Sequence, residues 1–147
     1  MSLHRLVYMS TAVGVLRADE LDKIYLRAKA HNIAAGITGL LLFYEGTFLQ
    51  LFEGPAAGIS ALVQKLRRDR RHANLIILES GPAETRIFPQ SPMQYVPARN
   101  LTLGEKQAFS DLRQAVVARS AMVGSPAPGA DNGLAAFLAS FAQVRAA

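Results

Sequence analysis

Three polar side chains stand in apolar surroundings: Tyr8 within Leu6-Val7-Tyr8-Met9, Asn32 near the end of a helical stripe, and Gln50 within Phe48-Leu49-Gln50-Leu51-Phe52. Side chains alternate across a strand, so Phe48, Gln50 and Phe52 share one face while Leu49, Leu51 and Glu53 share the other. A primary amide flanked by two phenylalanines is set for burial, and burying it unpaired costs about 2 kcal/mol or more. A carboxamide is both donor and acceptor, and a phenol is too, so the two can satisfy each other. From composition and spacing alone, a Tyr8–Gln50 pair completed by backbone inside an ordinary core accounts for both residues. Whether the pair serves a site instead depends on the residues around it.

Other groups that carry chemistry are sparse. There is no GxGxxG, GxxxxGK[ST], GxSxG or HExxH pattern. His4, His31 and His72 have no metal-ligand spacing, and the absence of cysteine removes thiolate nucleophiles, disulfides and Cys-type zinc sites. Asp19 and Glu20 are adjacent at a helix start, where carboxylates complement the dipole. The basic run Lys65-Leu66-Arg67-Arg68-Asp69-Arg70-Arg71 falls at a helix end, where cations are favoured, and no aromatic residue interleaves it to stack on bases. A solvated helix end explains that run better than nucleic-acid binding.

These side chains need a scaffold. Leu3 to Ser10 alternates as a strand, with Leu6 and Tyr8 on one face and Arg5 and Val7 on the other. Leu21, Ile24, Tyr25 and Ala28 form the stripe of a helix that Asn32 to Gly36 closes. Two apolar strands follow around Glu45-Gly46-Thr47, then a helix from Ala57 to Asp69 with Ile59, Leu62, Val63 and Leu66 inside, then a short buried strand from Leu75 to Leu78. The order βαββαβ predicts a ferredoxin-like α+β fold, with two helices on one sheet face and the first and third strands adjacent at its centre. Tyr8 and Gln50 then lie on neighbouring strands.

Beyond Ser80, a proline-punctuated loop from Gly81 through Pro92 leads to an extra strand at Met93 to Val96. Thr102-Leu103-Gly104-Glu105 is a capping box opening a helix with Phe109, Leu112 and Val116 inside. Gly124 to Gly129 reads as a flexible break before a last helix with Leu134, Phe137, Leu138 and Phe141. The expected organisation is a unit over residues 1–100 and a two-helix extension over 101–147 that covers the second sheet face, where Leu49 and Leu51 would otherwise form an exposed apolar patch.

The 147 residues are 50% hydrophobic and 18% charged, which excludes a disordered chain. No apolar run reaches the about 20 residues needed to span a bilayer, and the N-terminus enters a strand without a signal-peptide h-region. The expected location is cytoplasmic, away from membranes. The net charge of +5 permits an acidic partner without requiring one.

The surrounding residues resemble the BLUF family, the blue-light sensors that use a flavin. The likeness rests on Leu6-Val7-Tyr8-Met9-Ser10, His31-Asn32, Gly36-Ile37-Thr38-Gly39-Leu40-Leu41, Phe48-Leu49-Gln50-Leu51-Phe52-Glu53-Gly54, Asp69-Arg70-Arg71-His72 and Phe88-Pro89-Gln90-Ser91-Pro92-Met93, in family order and spacing. The resemblance implies a non-covalent FAD, or a close analogue such as FMN or riboflavin, held between the first two helices. It implies Tyr8 and Gln50 as the photoactive pair, with Met93 beside them. Asn32 would bind the flavin's pyrimidine edge, with His31 next to it. Ile24 and Leu66 would sandwich the ring, and Lys65, Asp69 and His72 would lie near its carbonyls and ribityl chain. Many members carry a tryptophan two residues before the methionine; here Ser91 stands there and the chain has no tryptophan. An exchange of tryptophan for methionine therefore has no counterpart, and Met93 is expected to remain in place in both states.

In the implied cycle the phenol gives an electron and then a proton, and the carboxamide relays the proton and holds a rearranged hydrogen-bond pattern that shifts the flavin absorption to the red. The remaining about 50 residues hold only two helices, about one helical hairpin, so no effector and no enzymatic activity are expected, with output to a separate signalling protein through the terminal helices or the sheet face they cover, and self-association. Two rivals share the topology. An acylphosphatase-like hydrolase needs a phosphate-cradling loop with arginine, which Thr11 to Leu16 lacks. An RNA-binding module needs aromatic side chains facing outward on central strands, a role for which Phe48 and Phe52 are the candidates.

Overall fold

The computed structural model describes residues 2–70, 72–120 and 137–141. The strands are β1 (Leu3–Ala12), β2 (Thr38–Tyr44), β3 (Thr47–Pro55), β4 (His72–Pro82) and β5 (Gln94–Val96). The helices are α1 (Ala18–Ala35) between β1 and β2, α2 (Ala56–Arg68) between β3 and β4, and α3 (Leu103–Ser120) after a 3-10 turn at Ala98–Asn100. Residues 137–141 are helical. The Gly124 to Gly129 break and Leu134 lie outside the described residues.

The sheet order is β4-β1-β3-β2-β5, antiparallel except for the parallel β2–β5 pair. This is the ferredoxin-like α+β arrangement with one added strand. Tyr8 pairs directly with Gln50 in the β1–β3 ladder. Strand alternation sorts the interior into two cores. Leu6, Tyr8, Leu41, Phe48, Phe52 and Met93 pack with Leu21 of α1 and with Ile59 and Leu62 of α2. Val7, Met9, Leu40, Leu42, Leu49 and Leu51 pack on the other face, with Phe109 and Val116 of α3 and with Leu138 and Phe141. The second face is thus covered, and Leu49 and Leu51 are fully buried.

Local signals set the boundaries. Gly36, at φ 70°, closes α1 in the left-handed region that glycine enters at no steric cost. Glu45 and Gly46 both have positive φ, the two-residue turn whose twist matches that of its flanking strands. At the start of α3 the capping box is formed as read: Glu105 N–H donates to Thr102 Oγ1 at 3.1 Å, and Thr102 N–H to Glu105 Oε1 at 2.8 Å.

β4 is longer than its apolar run. It extends from His72 through Gly81 and Pro82, residues that the sequence assigns to loops, because β1 offers ten residues of ladder to pair with. Its place at the sheet edge leaves one side of its backbone free of ladder bonds, so Pro82 is tolerated. Register shifts along β1 go with Asn74 at φ 55°.

Gly39 is held to glycine by a close approach: a Cβ there would lie 2.0 Å from the backbone oxygen of Leu51. Gly39→Ala is expected to cost about 3 kcal/mol or more, the upper range for overpacking, because a central strand has to move. Urea unfolding should show a lowered midpoint with an unchanged slope; a wild-type midpoint would contradict the close approach.

Candidate functional site

A cleft opens between α1 and α2 over the β1–β3 pair. Its empty space is about 840 Å³ including the open mouth. The floor is Tyr8, Phe48, Gln50 and Phe52; Ile24 and Ala28 of α1 form one wall, and Leu62 and Leu66 of α2 the other. Tyr8 is buried, and its hydroxyl donates to Oε1 of Gln50, itself only 5% exposed. With its carbonyl engaged, the amide's NH2 end is the donor it has left to offer.

Asn32 is 1% exposed on the last turns of α1. Its Nδ2 donates to the carbonyl of Pro92 at 2.6 Å, and since that carbonyl can only accept, the NH2 end must face it. Asn32 Oδ1 is left buried without a partner among the described residues, as is Nδ1 of the adjacent His31. A buried polar atom left unpaired costs about 1–3 kcal/mol, and these two belong to residues that line the cleft.

Lys65 and Asp69 at the end of α2 and His72 at the start of β4 line the cleft, as does Arg27 of α1. His72 Nε2 lies 2.9 Å from the Leu66 carbonyl and Nδ1 lies 2.8 Å from Ser10 Oγ. The carbonyl fixes the proton on Nε2, so in the neutral ring Nδ1 accepts from the serine. This clamps the ring beside Tyr8, centroids 6.0 Å apart.

Tyr8, Ile24, His31, Asn32, Gln50, Lys65, Leu66, Asp69 and His72 all line this cleft. Met93 is not among the lining residues but is 2% exposed in the same core cluster as Tyr8. Arg27, Ala28, Phe48, Phe52 and Leu62 also line the cleft, beyond the residues that the family resemblance points to. Helical spacing would have found Arg27, three residues after Ile24 and four before His31. Asp19 and Glu20 serve the start of α1: Glu20 Oε1 accepts from the Arg17 N–H at 3.1 Å, and Asp19 pairs with the Arg17 guanidinium at 3.1 Å. Phe48 and Phe52 face inward at 4% and 2% exposure, which leaves no outward aromatic platform for RNA. Among the described residues there is no cluster of three or more potential metal ligands, and no helix is long and apolar enough to cross a membrane.

Residues 3–94 match the family model described as BLUF, sensors of blue-light using FAD. Photoactivated adenylate cyclase subunit alpha of Euglena gracilis is 33% identical over 107 residues, which cover 73% of this chain and 10% of that protein. The chain spans about a tenth of the length of the first curated relatives it matches. Among solved structures, Klebsiella pneumoniae BlrP1 with FMN and cyclic diGMP superposes with a TM-score of 0.64 at 28% identity, covering 69% of this chain and 27% of that one. BlrB, a BLUF protein in its dark state, superposes with a TM-score of 0.71 at 24% identity over 95% of this chain and 96% of its own, a likeness of fold. The chain belongs to the BLUF family of flavin-using blue-light sensors.

Proposed function

We propose that this chain binds FAD non-covalently in the α1–α2 cleft and turns blue light into a hydrogen-bond rearrangement at Tyr8 and Gln50, read by a separate partner protein. The observation that carries the reading is the buried Tyr8–Gln50 hydrogen bond on the floor of a cleft whose lining residues His31 and Asn32 each hold an unpartnered buried polar atom. The donor set fits a flavin. Asn32 Oδ1 is an acceptor for the imide N–H of the pyrimidine edge, and the Gln50 NH2 is a donor for ring nitrogen and carbonyl oxygen. Ile24 and Leu66 offer flat apolar walls, and Lys65, Asp69 and His72 offer polar partners for the ring carbonyls and ribityl chain. When bound, the flavin supplies light absorption and a reversible one-electron acceptor.

The protein's part is to give and return an electron and a proton. Tyr8 is placed for this because its hydroxyl already donates to the amide next to the cleft. Gln50 carries the proton onward and, as both donor and acceptor, can hold a second hydrogen-bond pattern without leaving a group unpaired. Tyr95 is a weaker candidate: it stacks on Tyr25 with centroids 5.3 Å apart, and burial pushes its phenol above the usual value, with Asp22 adding and Arg99 opposing. Met93 lies on the same side of the sheet. The next residue, Gln94, donates to the Phe141 carbonyl at 3.3 Å, a path from the cleft side to the terminal helical segment. Output through the extension at 101–147, self-association, a cytoplasmic location and the absence of catalysis by this unit belong to the same proposal.

Gln50→Leu keeps bulk but removes donor and acceptor, so the chain should fold and bind flavin yet lose the red-shifted lit state. A wild-type light-minus-dark spectrum from this variant would remove Gln50 from the relay. Tyr8→Phe fills the same space without the hydroxyl; flavin should still bind while the photocycle disappears, and a normal yield of the shifted state would require another donor. Asn32→Ala should weaken flavin binding by about tenfold or more, since a hydrogen bond in a buried site is worth about 1.4 kcal/mol. Fluorescence titration of the flavin-free chain reads this directly, and unchanged affinity would exclude the pyrimidine contact.

A further inference from the structure

Among the described residues Glu53 is the most deeply buried carboxylate, at 0% exposure, and the flavin chemistry does not use it. It points to the face opposite the cleft. A carboxylate there is costly unless it is fully hydrogen-bonded. Arg5 Nε donates to Oε2 at 2.9 Å, the Ile87 N–H is shared between both oxygens at 2.8 and 2.9 Å, and the Phe88 N–H donates to Oε1 at 3.0 Å. Three of these four contacts come from the backbone of the connection between β4 and β5. Since β4 and β5 are the two outer strands, that connection has to cross β1, β3 and β2 to reach its destination.

It crosses on a polar rung. Arg5, Glu53 and Thr38 are paired neighbours across the three inner strands, and each holds the passing chain. The Arg5 guanidinium donates to the Thr85 carbonyl at 2.7 Å. Arg86 reaches back, with Nη1 donating to Thr38 Oγ1 and to the Glu53 carbonyl, both at 2.8 Å, and Nη2 donating to the Gly36 carbonyl at 3.0 Å. Farther along, the Gly39 N–H donates to the Ser91 carbonyl at 3.0 Å. The next two residues are Pro92, whose carbonyl takes the Asn32 amide, and Met93, in the cleft-side core.

We infer that Glu53 and Arg86 are positioning residues for the cleft: by fixing the crossing connection they set where Pro92 holds Asn32 and where Met93 sits. The Asn32 amide can turn its oxygen toward the cleft only because its NH2 end has a stationary acceptor. This inference rests on the flavin-sensor reading for its optical readout but not for its structural one.

The test is Glu53→Gln in the full chain, compared with Phe109→Leu. Phe109 meets Tyr44 edge to face at the hairpin end of the sheet, away from the rung, and its trimming controls for lost stability. In the flavin-free protein, Glu53→Gln should speed amide exchange at Ile87 and Phe88 by about tenfold or more relative to Phe109→Leu at matched stability, because the glutamine NH2 opposes the donors that the carboxylate accepted. In the flavin-loaded protein it should shift the dark absorption band and speed recovery from the lit state severalfold, with Phe109→Leu unchanged in both. Equal exchange in the two variants, or faster exchange with wild-type spectrum and recovery, overturns the inference. Failure to bind flavin at all would count against the functional reading, while the exchange result would still decide the anchor. Arg86→Ala leaves no buried carboxylate unpaired, so it is the variant to use if Glu53→Gln does not fold; it should move recovery in the same direction, and wild-type recovery overturns the inference.

Discussion

The geometry of the site depends on the register of the β1–β3 ladder. Tyr8 and Gln50 are direct cross-strand partners, and a slip of one residue would send one strand's entire set of side chains to the other face. Each end of the ladder is pinned. At the hairpin end, the two-residue turn at Glu45 and Gly46 fixes how β3 returns along β2, and the Ala12 N–H donates to the Gly46 carbonyl at 2.8 Å, fastening β1 to that turn. At the other end Arg5 and Glu53 are opposite each other and ion-paired at 2.9 Å. The phenol–amide hydrogen bond at the middle then has a structural reason as well as a chemical one. Either group alone, buried among Phe48, Phe52 and Leu6, would carry a penalty of about 1–3 kcal/mol that the pairing offsets.

The same alternation that builds the cleft also separates it from the face covered by α3 and residues 137–141. A five-stranded sheet gives two faces with little direct contact between their side chains, so a change confined to Gln50 remains on the α1–α2 side unless a backbone carries it across. The short strand β5 is placed to do so. Met93 precedes it and belongs to the cleft-side core, while Gln94 contacts the helical segment at 137–141 on the opposite side. β5 is three residues long and bound to the sheet on one side only, by β2, which makes it the least restrained strand.

Much of this was legible in the sequence because period-2 patterning is unambiguous where a strand carries large apolar side chains. Leu6 and Tyr8, Phe48 to Phe52, and the stripes Leu21–Ala28 and Ile59–Leu66 all face the side they were read to face. The candidate cleft residues followed from the motif words and not from periodicity; spacing alone left Tyr8 and Gln50 as an ordinary core pair. β4 is longer than its apolar run indicates because its ends are polar, and pairing of polar ends is decided by the neighbour's length. Alternation places Glu53 on the face it occupies, but nothing local in the Leu49–Leu51 row marks what a carboxylate does there. Its partners, the Ile87 and Phe88 amides, are more than thirty residues away and belong to a connection without periodicity. Long-range backbone donors leave no mark in local sequence.

A switch built on hydrogen bonds needs two arrangements of nearly equal free energy, since a gap of more than a few kcal/mol would leave the second state unpopulated or irreversible. The residue types around the cleft meet that condition. A leucine at position 50 has no hydrogen-bond pattern to change, and a carboxylate there would be acceptor-only, satisfied in one pattern and repelled in the other. The carboxamide of Gln50 can present either its oxygen or its NH2 to Tyr8, whose hydroxyl can donate or accept in turn, so both arrangements can be satisfied. Such near-degeneracy is useful only if the surroundings do not relax to favour one arrangement, and here they are stiff. His72 is held at both ring nitrogens, Asn32 is tied to Pro92, and the chain bearing Pro92 is fastened to the sheet by Glu53 and Arg86. In the proposed switch the mobile element is thereby narrowed to one amide, and a rigid frame around a single bistable group is what would let a small rearrangement bias a strand instead of dissipating among its neighbours.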